Sequence, residues 1–397
     1  MDARRTSIIL YAALSAMVLL ATFTGFPPDW KTAGIERPAP FPHLCPQTLL
    51  SGGFGDAFER FFARKFGLRG FGIRLAHQLG WEVFGVLPVP GGTPIDVGAD
   101  HWLFEHDYVR HNVRRYGMRK SEAKEFASRM VALRQRLATR GVPLVVCVSP
   151  SKAIVYPEYL LDAMKPTPEF AGNALARDIL VAHLRQAGVA VIDSSALFLE
   201  WKRDGVLLFP RNGTHWNAYG AQRIWDEIVD AARAQDRALP PVPSVKGHVM
   251  GPPLKSDRDL AALYNMVRYP YAEKSVPYPV MEEGGEAGAG RRMRVLGVGD
   301  SFSFQLADAM GRCGAVESFR LLYYNKADYR FAWAPGKRPR ENAPAQHRLP
   351  SFDARGFDID EATRDCDLVV VEFNDVFARK RAWGFALEPR HSSRARP

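Results

Sequence analysis

The chain has 397 residues, 47% hydrophobic and 24% charged, so it can bury a sizeable core and is globular rather than disordered or fibrous. Its net charge of +10 favours anionic partners: acidic polysaccharide, phospholipid head groups or nucleic acid. No helix-turn-helix, zinc-finger or RNA-binding-sheet pattern is visible, so nucleic acid ranks last and no nucleic-acid partner is expected.

Arg4 and Arg5 precede Ile8 to Phe26, a run without charge. Nineteen residues of helix rise ~28 Å, the thickness of a bilayer core. With the basic residues held in the cytoplasm, the remainder is translocated. The expected localisation is the inner membrane, by a single N-terminal pass, with the domain in the periplasm. A cleaved signal peptide is the rival reading, although no clean small-x-small site follows the run. Residues 27–51 are Pro-rich and read as a linker. Phe54 to Phe66 places aromatics at helical spacing, and a second helix is expected from about Gly70 to Gly85.

From there strands and helices alternate. Lys120 to Arg140 carries one apolar stripe and stops at Gly141. Pro143 to Val148 is a continuous apolar strand, and Ser149-Pro150-Ser151-Lys152 leaves its C-terminal end. A helix over Asn173 to Ala187, a strand over Gly188 to Asp193 and a helix over Ser194 to Trp201 follow. Arg211-Asn212-Gly213-Thr214-His215-Trp216-Asn217 then opens a helix over Ala218 to Ala234. Residues 236–292 lack pattern and read as an insertion. Met293 to Val298 is the next strand, ending in Gly299-Asp300-Ser301 before a helix over Phe302 to Met310. Ser318 to Tyr324 and Asp367 to Phe373 are further strands, separated by a long basic stretch at 325–365. Residues 381–397 form a basic tail. The sum is an α/β fold: a mostly parallel sheet with helices on both faces, in one domain over 52–380. Of the four cysteines, Cys147 reads as a buried thiol. Cys313 and Cys366 leave room for one bridge in an oxidising compartment, and no spacing suits a metal.

In open α/β sheets, sites lie beyond the carboxyl ends of strands. Ser301, Asn374 and Lys152 each sit just past such an end, and His215 opens a helix after a loop. A Ser–His pair from two loops is the minimum for acyl transfer, because imidazole accepts the hydroxyl proton. Each residue also has a plainer reading: Gly-Asp-Ser as a helix cap, His215 as a structural residue at a helix start.

These residues resemble the SGNH-hydrolase-like alginate O-acetyltransferases of the AlgX/AlgJ type. Gly299-Asp300-Ser301-Phe302-Ser303 resembles the family's nucleophile motif. Gly213-Thr214-His215-Trp216-Asn217 resembles its Asp-Thr-His-Trp-Asn box, and Ser149-Pro150-Ser151-Lys152 with Tyr156-Pro157-Glu158 its early Pro-x-Lys…Tyr-Pro-Glu segment. Trp102-Leu103-Phe104 resembles its Gly-Trp-Leu-Phe. The resemblance implies an SGNH-like (flavodoxin-like) fold and an enzyme that moves acetyl groups onto an exported, alginate-like polysaccharide. Ser301 would be the nucleophile and His215 the base, with no cofactor or metal. The expected partners are the polysaccharide, the inner membrane and a membrane-bound O-acyltransferase that supplies acetyl groups. Asp300, Asn374, Arg330 and Asn217 are candidates for supporting or oxyanion roles. Lys152, Trp216 and Tyr219 are candidates for substrate contact. Arg330 also reads as a solvated residue, and Lys152 as a loop holder.

One position departs from the family pattern. Where the family has Asp two residues before the histidine, this chain has Gly213. Three readings follow: a Ser–His dyad, a carboxylate from elsewhere such as Asp204, or a fold that has lost the chemistry. Asp193 and Asp300 are poorer sources. The last reading makes the chain a polysaccharide-binding scaffold of an export complex. A carbohydrate acetyl esterase is the other alternative, since water and a sugar hydroxyl are equivalent nucleophiles at such a site.

Overall fold

The computed structural model describes residues 40–65, 68–235, 239–282, 291–334, 347–348 and 358–384, with 32–34 and scattered positions between 9 and 24. The anchor expected over 8–26 falls largely, and the tail beyond 384 wholly, outside the described residues. Among the described residues, no helix is long and apolar enough to cross a membrane.

The chain divides into two compact units, residues 1–95 with 259–272, and residues 96–258 with 273–397. The stretch expected to be one domain over 52–380 is therefore shared between them. The first unit contains α1 (Gly53–Lys65) and α2 (Arg69–Phe84). The phenylalanine stripe of α1 stacks along its own helix, Phe54 on Phe58 at 5.9 Å and Phe58 on Phe62 at 6.2 Å between ring centroids.

The second unit is built on one sheet. Its strands, with the helices between them, are α3 (Lys120–Ala138), β1 (Leu144–Ser149), α4 (Ala176–Gln186), β2 (Ala190–Asp193) and α5 (Ala218–Arg233). Then come β3 (Met293–Gly299), α6 (Ser303–Cys313), β4 (Val316–Tyr323), β5 (Ala327–Ala332), β6 (His347–Arg348) and β7 (Leu368–Asn374). The seven strands lie in the order β6-β5-β4-β3-β7-β1-β2. The five from β4 to β2 are parallel, and β5 and β6 add antiparallel to the edge. The sheet is thus mixed. Both β5 and the edge strand β6 lie within the stretch 325–365, where the sequence suggested none.

Side-chain alternation along the central strands splits the core in two. Val145, Cys147, Val295, Leu368 and Val370 face one side, with α5 and α6. Leu144, Val146, Val148, Leu296, Val298, Val369 and Val371 face the other, with α3 and α4. This alternation also rules on the cysteines. Cys313 packs on the first face and Cys366 against the second, and all four thiols are free. The bridge left open between Cys313 and Cys366 does not form.

The patternless stretch 236–292 contributes an antiparallel hairpin, Val245–Gly251 with Val276–Met281. Between its strands come a short turn over Ser256–Arg258 and a short helix over Asp259–Ala262.

Candidate active site

The parallel register sets a rim. Asn374 pairs with Ser149, Val148 with Asp193, Val298 with Val371, and Gly299 with Tyr323. The turns leaving β3, β4, β7 and β1 therefore come together at one edge, where the strand order reverses around β7.

Gly299 is needed here for close approach. A Cβ on it would lie 2.0 Å from Ser303 Oγ and 2.8 Å from Glu372 Oε2. Into that space comes the Glu372 carboxyl, buried in β7. It accepts hydrogen bonds from Ser149 Oγ at 2.6 Å, Ser303 Oγ at 2.7 Å and the Asp300 N–H at 3.1 Å. The Asp300 carboxyl accepts the Phe302 N–H at 3.0 Å and the Asn374 N–H at 2.7 Å. These bonds pin the turn on both sides of Ser301. Burial and the neighbouring Glu372 charge push Asp300 well above the usual carboxylate range. Burial raises Glu372 as well. Asp300 braces the turn from below the reacting position.

Ser301 itself is half-buried, in the turn just before α6, and its hydroxyl hydrogen-bonds the Tyr324 hydroxyl. Tyr324 follows β4 on the rim in a left-handed backbone conformation, φ 50°. Its backbone N–H donates to the Gly299 carbonyl at 2.8 Å. Tyr324 was not among the residues expected at the site, because the doublet Tyr323-Tyr324 reads as the end of an apolar strand.

His215 reaches the same edge from the loop before α5. Its ring meets the Phe302 ring edge-on, with centroids 4.9 Å apart, and its charge is felt by the Asp300 carboxylate. Phe302 directly follows Ser301, so the ring contact brings His215 beside the nucleophile turn. The loop is held from beneath. Lys152 Nζ donates to the carbonyls of Pro210 and Arg211, each at 3.1 Å, and to that of Gly213. The Lys152 ammonium also lies over the Trp102 and Phe104 rings, 5.5 and 5.2 Å from their centroids. Glu273 accepts the Arg211 N–H at 3.0 Å, and its own N–H donates to Asn212 Oδ1 at 2.6 Å.

Residues 95–304 match the family model described as SGNH hydrolase-like domain, acetyltransferase AlgX. The chain belongs to this family. Among curated relatives, it is 29% identical over 178 residues to a probable alginate O-acetylase AlgJ of Pseudomonas aeruginosa, covering 44% of this chain and 41% of that one. It is 26% identical over 226 residues to the Azotobacter vinelandii protein of the same name, covering 56% and 52%. The chain thus spans about half the length of the curated relatives it matches. Among solved structures, the O-acetyltransferase domain of Pseudomonas putida AlgJ is similar, with TM-score 0.43 and 19% identity over 72% of this chain and 91% of that one.

The remaining AlgX-type positions sort by burial. Asn374 is wholly buried. Its Oδ1 accepts the Val376 N–H at 3.1 Å, while Nδ2 has no partner among the described residues. Five other residues are placed elsewhere, each for a physical reason. Asn217 caps α5, accepting the Gly220 N–H at 2.9 Å and donating to the Leu207 carbonyl at 2.7 Å, so its amide is engaged on both sides. Arg330 lies on β5 opposite Arg320, three residues or ~10 Å below the rim, with its side chain 53% exposed and 3.6 Å from Asp328. Lys152 is buried at 2% exposure and holds the loop instead of meeting substrate. Trp216, 1% exposed, packs on Phe302 at 5.2 Å, and Tyr219 lies buried against His248 at 5.3 Å. Neither offers a substrate-facing surface.

Gly213 is also a close-approach glycine. A Cβ there would lie 2.8 Å from the Ser256 carbonyl oxygen, 2.9 Å from Pro210 Cγ and 3.0 Å from the Asp257 carbonyl carbon. The family's Asp cannot stand at 213 without displacing this backbone. Asp204, suggested as a replacement, is 68% exposed and pairs with Arg223 at 3.9 Å. Asp193 caps the helix Ser194–Trp201 and binds Arg177 at 2.9 Å.

The loop carries its own pH response. Burial pushes Glu273 up to about 7 from 4.5. A carboxyl raised by folding binds its proton more tightly in the native state. Its contribution is therefore full below the unfolded value and is lost as pH rises through 4.5 to about 7. Glu273→Gln mimics the protonated form. At pH 8 it should be more stable than the parent by about 3 kcal/mol, and at pH 4 equal to it, in urea melts. Asp226 and Asp375, each pushed up to about 6 by burial, slope the same way in both proteins and cancel in the difference.

Proposed function

We propose that the chain is a periplasmic O-acetyltransferase acting through an acetyl-serine on hydroxyls of an exported acidic polysaccharide. The apolar run 8–26 serves as its membrane anchor. Ser301 Oγ attacks the acetyl carbonyl while His215 takes the hydroxyl proton. The tetrahedral oxyanion is met by the Ser301 N–H, at the positive end of α6, and by Asn374 Nδ2. Collapse expels the donor's leaving group, which receives the proton from His215. A sugar hydroxyl then attacks the ester, His215 takes its proton, and collapse returns that proton to Ser301. Acetyl-CoA is confined to the cytoplasm, so a membrane-bound O-acyltransferase supplies the acetyl group. The basic surface suits an acidic sugar chain.

The observation that carries this reading is the contact of the His215 ring with the ring of Phe302, the residue after Ser301, in a chain of this family. The test supplies an aryl acetate and an acidic oligosaccharide to the full chain. Acetylated oligosaccharide is expected. Free acetate alone would make the protein an esterase, and no turnover would leave a scaffold. Asn374→Ala should lower kcat for acetyl release about 10²–10³-fold with little change in KM, as loss of one oxyanion donor does. An unchanged kcat would remove Asn374 from the oxyanion site.

A further inference from the structure

We propose that Asp257 supplies the carboxylate that orients His215, standing in for the aspartate that position 213 lacks. The inference rests on the Ser301–His215 reading above. In the family pattern a side chain two residues ahead of the histidine reaches the imidazole, so the direction in which a Cβ would leave residue 213 points to the place a triad carboxylate occupies. In this chain that direction ends on the backbone of Ser256 and Asp257, at 2.8 and 3.0 Å. The absence of a side chain at 213 is what lets the turn at Ser256–Arg258 come so close.

Asp257 is built as a fixed group. It is 2% exposed, and its Oδ2 accepts the Leu254 N–H at 2.7 Å. An ionised carboxylate keeps further lone pairs for a second donor. Its charge is felt by Glu273, the residue that binds the Arg211 N–H, and by the buried Arg312 of α6. The carboxylate is therefore near enough to act on both the base of the histidine loop and α6, the helix that follows the nucleophile turn. Other acids are committed elsewhere: Asp300 and Glu372 beneath the serine turn, Asp204 in solvent, Asp193 on Arg177. Glu105 accepts the Thr214 hydroxyl at 3.4 Å and is the rival to be tested. Neutral His215 would donate Nδ1–H to Asp257 and present Nε2 to Ser301, and the imidazolium formed during acylation would be stabilised by the paired charge.

The test uses the full chain with Asp257→Asn, Asp257→Glu, Glu105→Gln and, as a solvent-exposed control, Asp204→Asn. Two readouts are taken: steady-state acetyl release, and the titration midpoint of His215 by ¹⁵N-histidine NMR, assigned with His215→Gln. Asp257→Asn should lower kcat about 10³–10⁴-fold with KM within about twofold. It should also lower the His215 midpoint by about one pH unit or more, because a nearby carboxylate favours the charged ring. Asp257→Glu should keep a raised midpoint and part of the activity, and Asp204→Asn should match the parent. An unmoved midpoint in Asp257→Asn, or a loss confined to Glu105→Gln, overturns the assignment. If Asp257→Asn does not fold, Asp257→Glu decides alone: a kcat and midpoint both equal to the parent's overturn it. A parent chain that shows no turnover, but whose His215 midpoint responds to Asp257, sinks the acetyltransferase reading and leaves the pairing standing.

Discussion

Ser301→Ala should lower acetyl-ester turnover by about 10⁴–10⁶-fold while leaving the fold intact. The serine hydroxyl is half-buried and its hydrogen bond is to Tyr324, at the rim. The bonds that shape the turn belong to its neighbours: the two N–H groups on Asp300 and the three donors on Glu372. Removing the hydroxyl therefore removes the chemistry and little of the structure. His215→Ala should cost a similar factor, and the double variant little more than either alone, because nucleophile and base act as one unit. Matching circular dichroism and melting curves would confirm that activity, not folding, was lost. A variant that retains turnover within tenfold of the parent would mean that another group is acylated or none is.

The largest stability effect is expected beneath the nucleophile, at Glu372→Ala. Three donors converge on this carboxyl: Ser149 Oγ, Ser303 Oγ and the Asp300 N–H. An unsatisfied buried donor costs about 1–3 kcal/mol, and the void left in β7 adds to it, so a loss of at least about 3 kcal/mol is expected. That is a large share of the ~5–15 kcal/mol by which a domain is stable. Burial already holds Glu372 and Asp300 above the usual carboxylate range, so both lean toward neutral forms. Urea denaturation of the two proteins at one pH measures the difference. A change below 1 kcal/mol would show that the Ser149, Ser303 and Asp300 donors find other partners.

Much of the fold was legible because its central strands are buried on both faces. Continuous apolar runs such as Leu144–Val148, Val295–Val298 and Leu368–Val371 can only be interior strands, and the rim rule then places Ser301 and Asn374 together. His215 was legible from its box and its place before a helix. Glu372 left a signal that went unused: one acid inside Leu-Val-Val-Val-Glu-Phe, wholly buried, must have partners. Those partners come from residues 223 and 69 positions away, which periodicity cannot supply. The antiparallel strand Ala327–Ala332 was hidden in a basic stretch. Its alternation is interrupted by Asp328 and Arg330, and the Asp328 carboxylate pairs with both Arg320 and Arg330. Lys152, Trp216 and Tyr219 were drawn toward substrate because polar and aromatic residues near a box invite that role. Burial gives each a packing or loop-holding task instead. Gly213 reads in the sequence as a lost aspartate. In space it is the gap through which the turn of Ser256 and Asp257, from the patternless stretch 236–292, meets the histidine loop.

The most direct test of the account is to find the acetyl group. The full chain is given an aryl acetate without acceptor, quenched in acid, digested and mapped by tandem mass spectrometry. The account predicts an acetyl ester on Ser301, present in the parent, absent from Ser301→Ala and strongly reduced in His215→Gln. An unmodified Ser301 in a folded parent chain, or an ester carried by another residue, would contradict it.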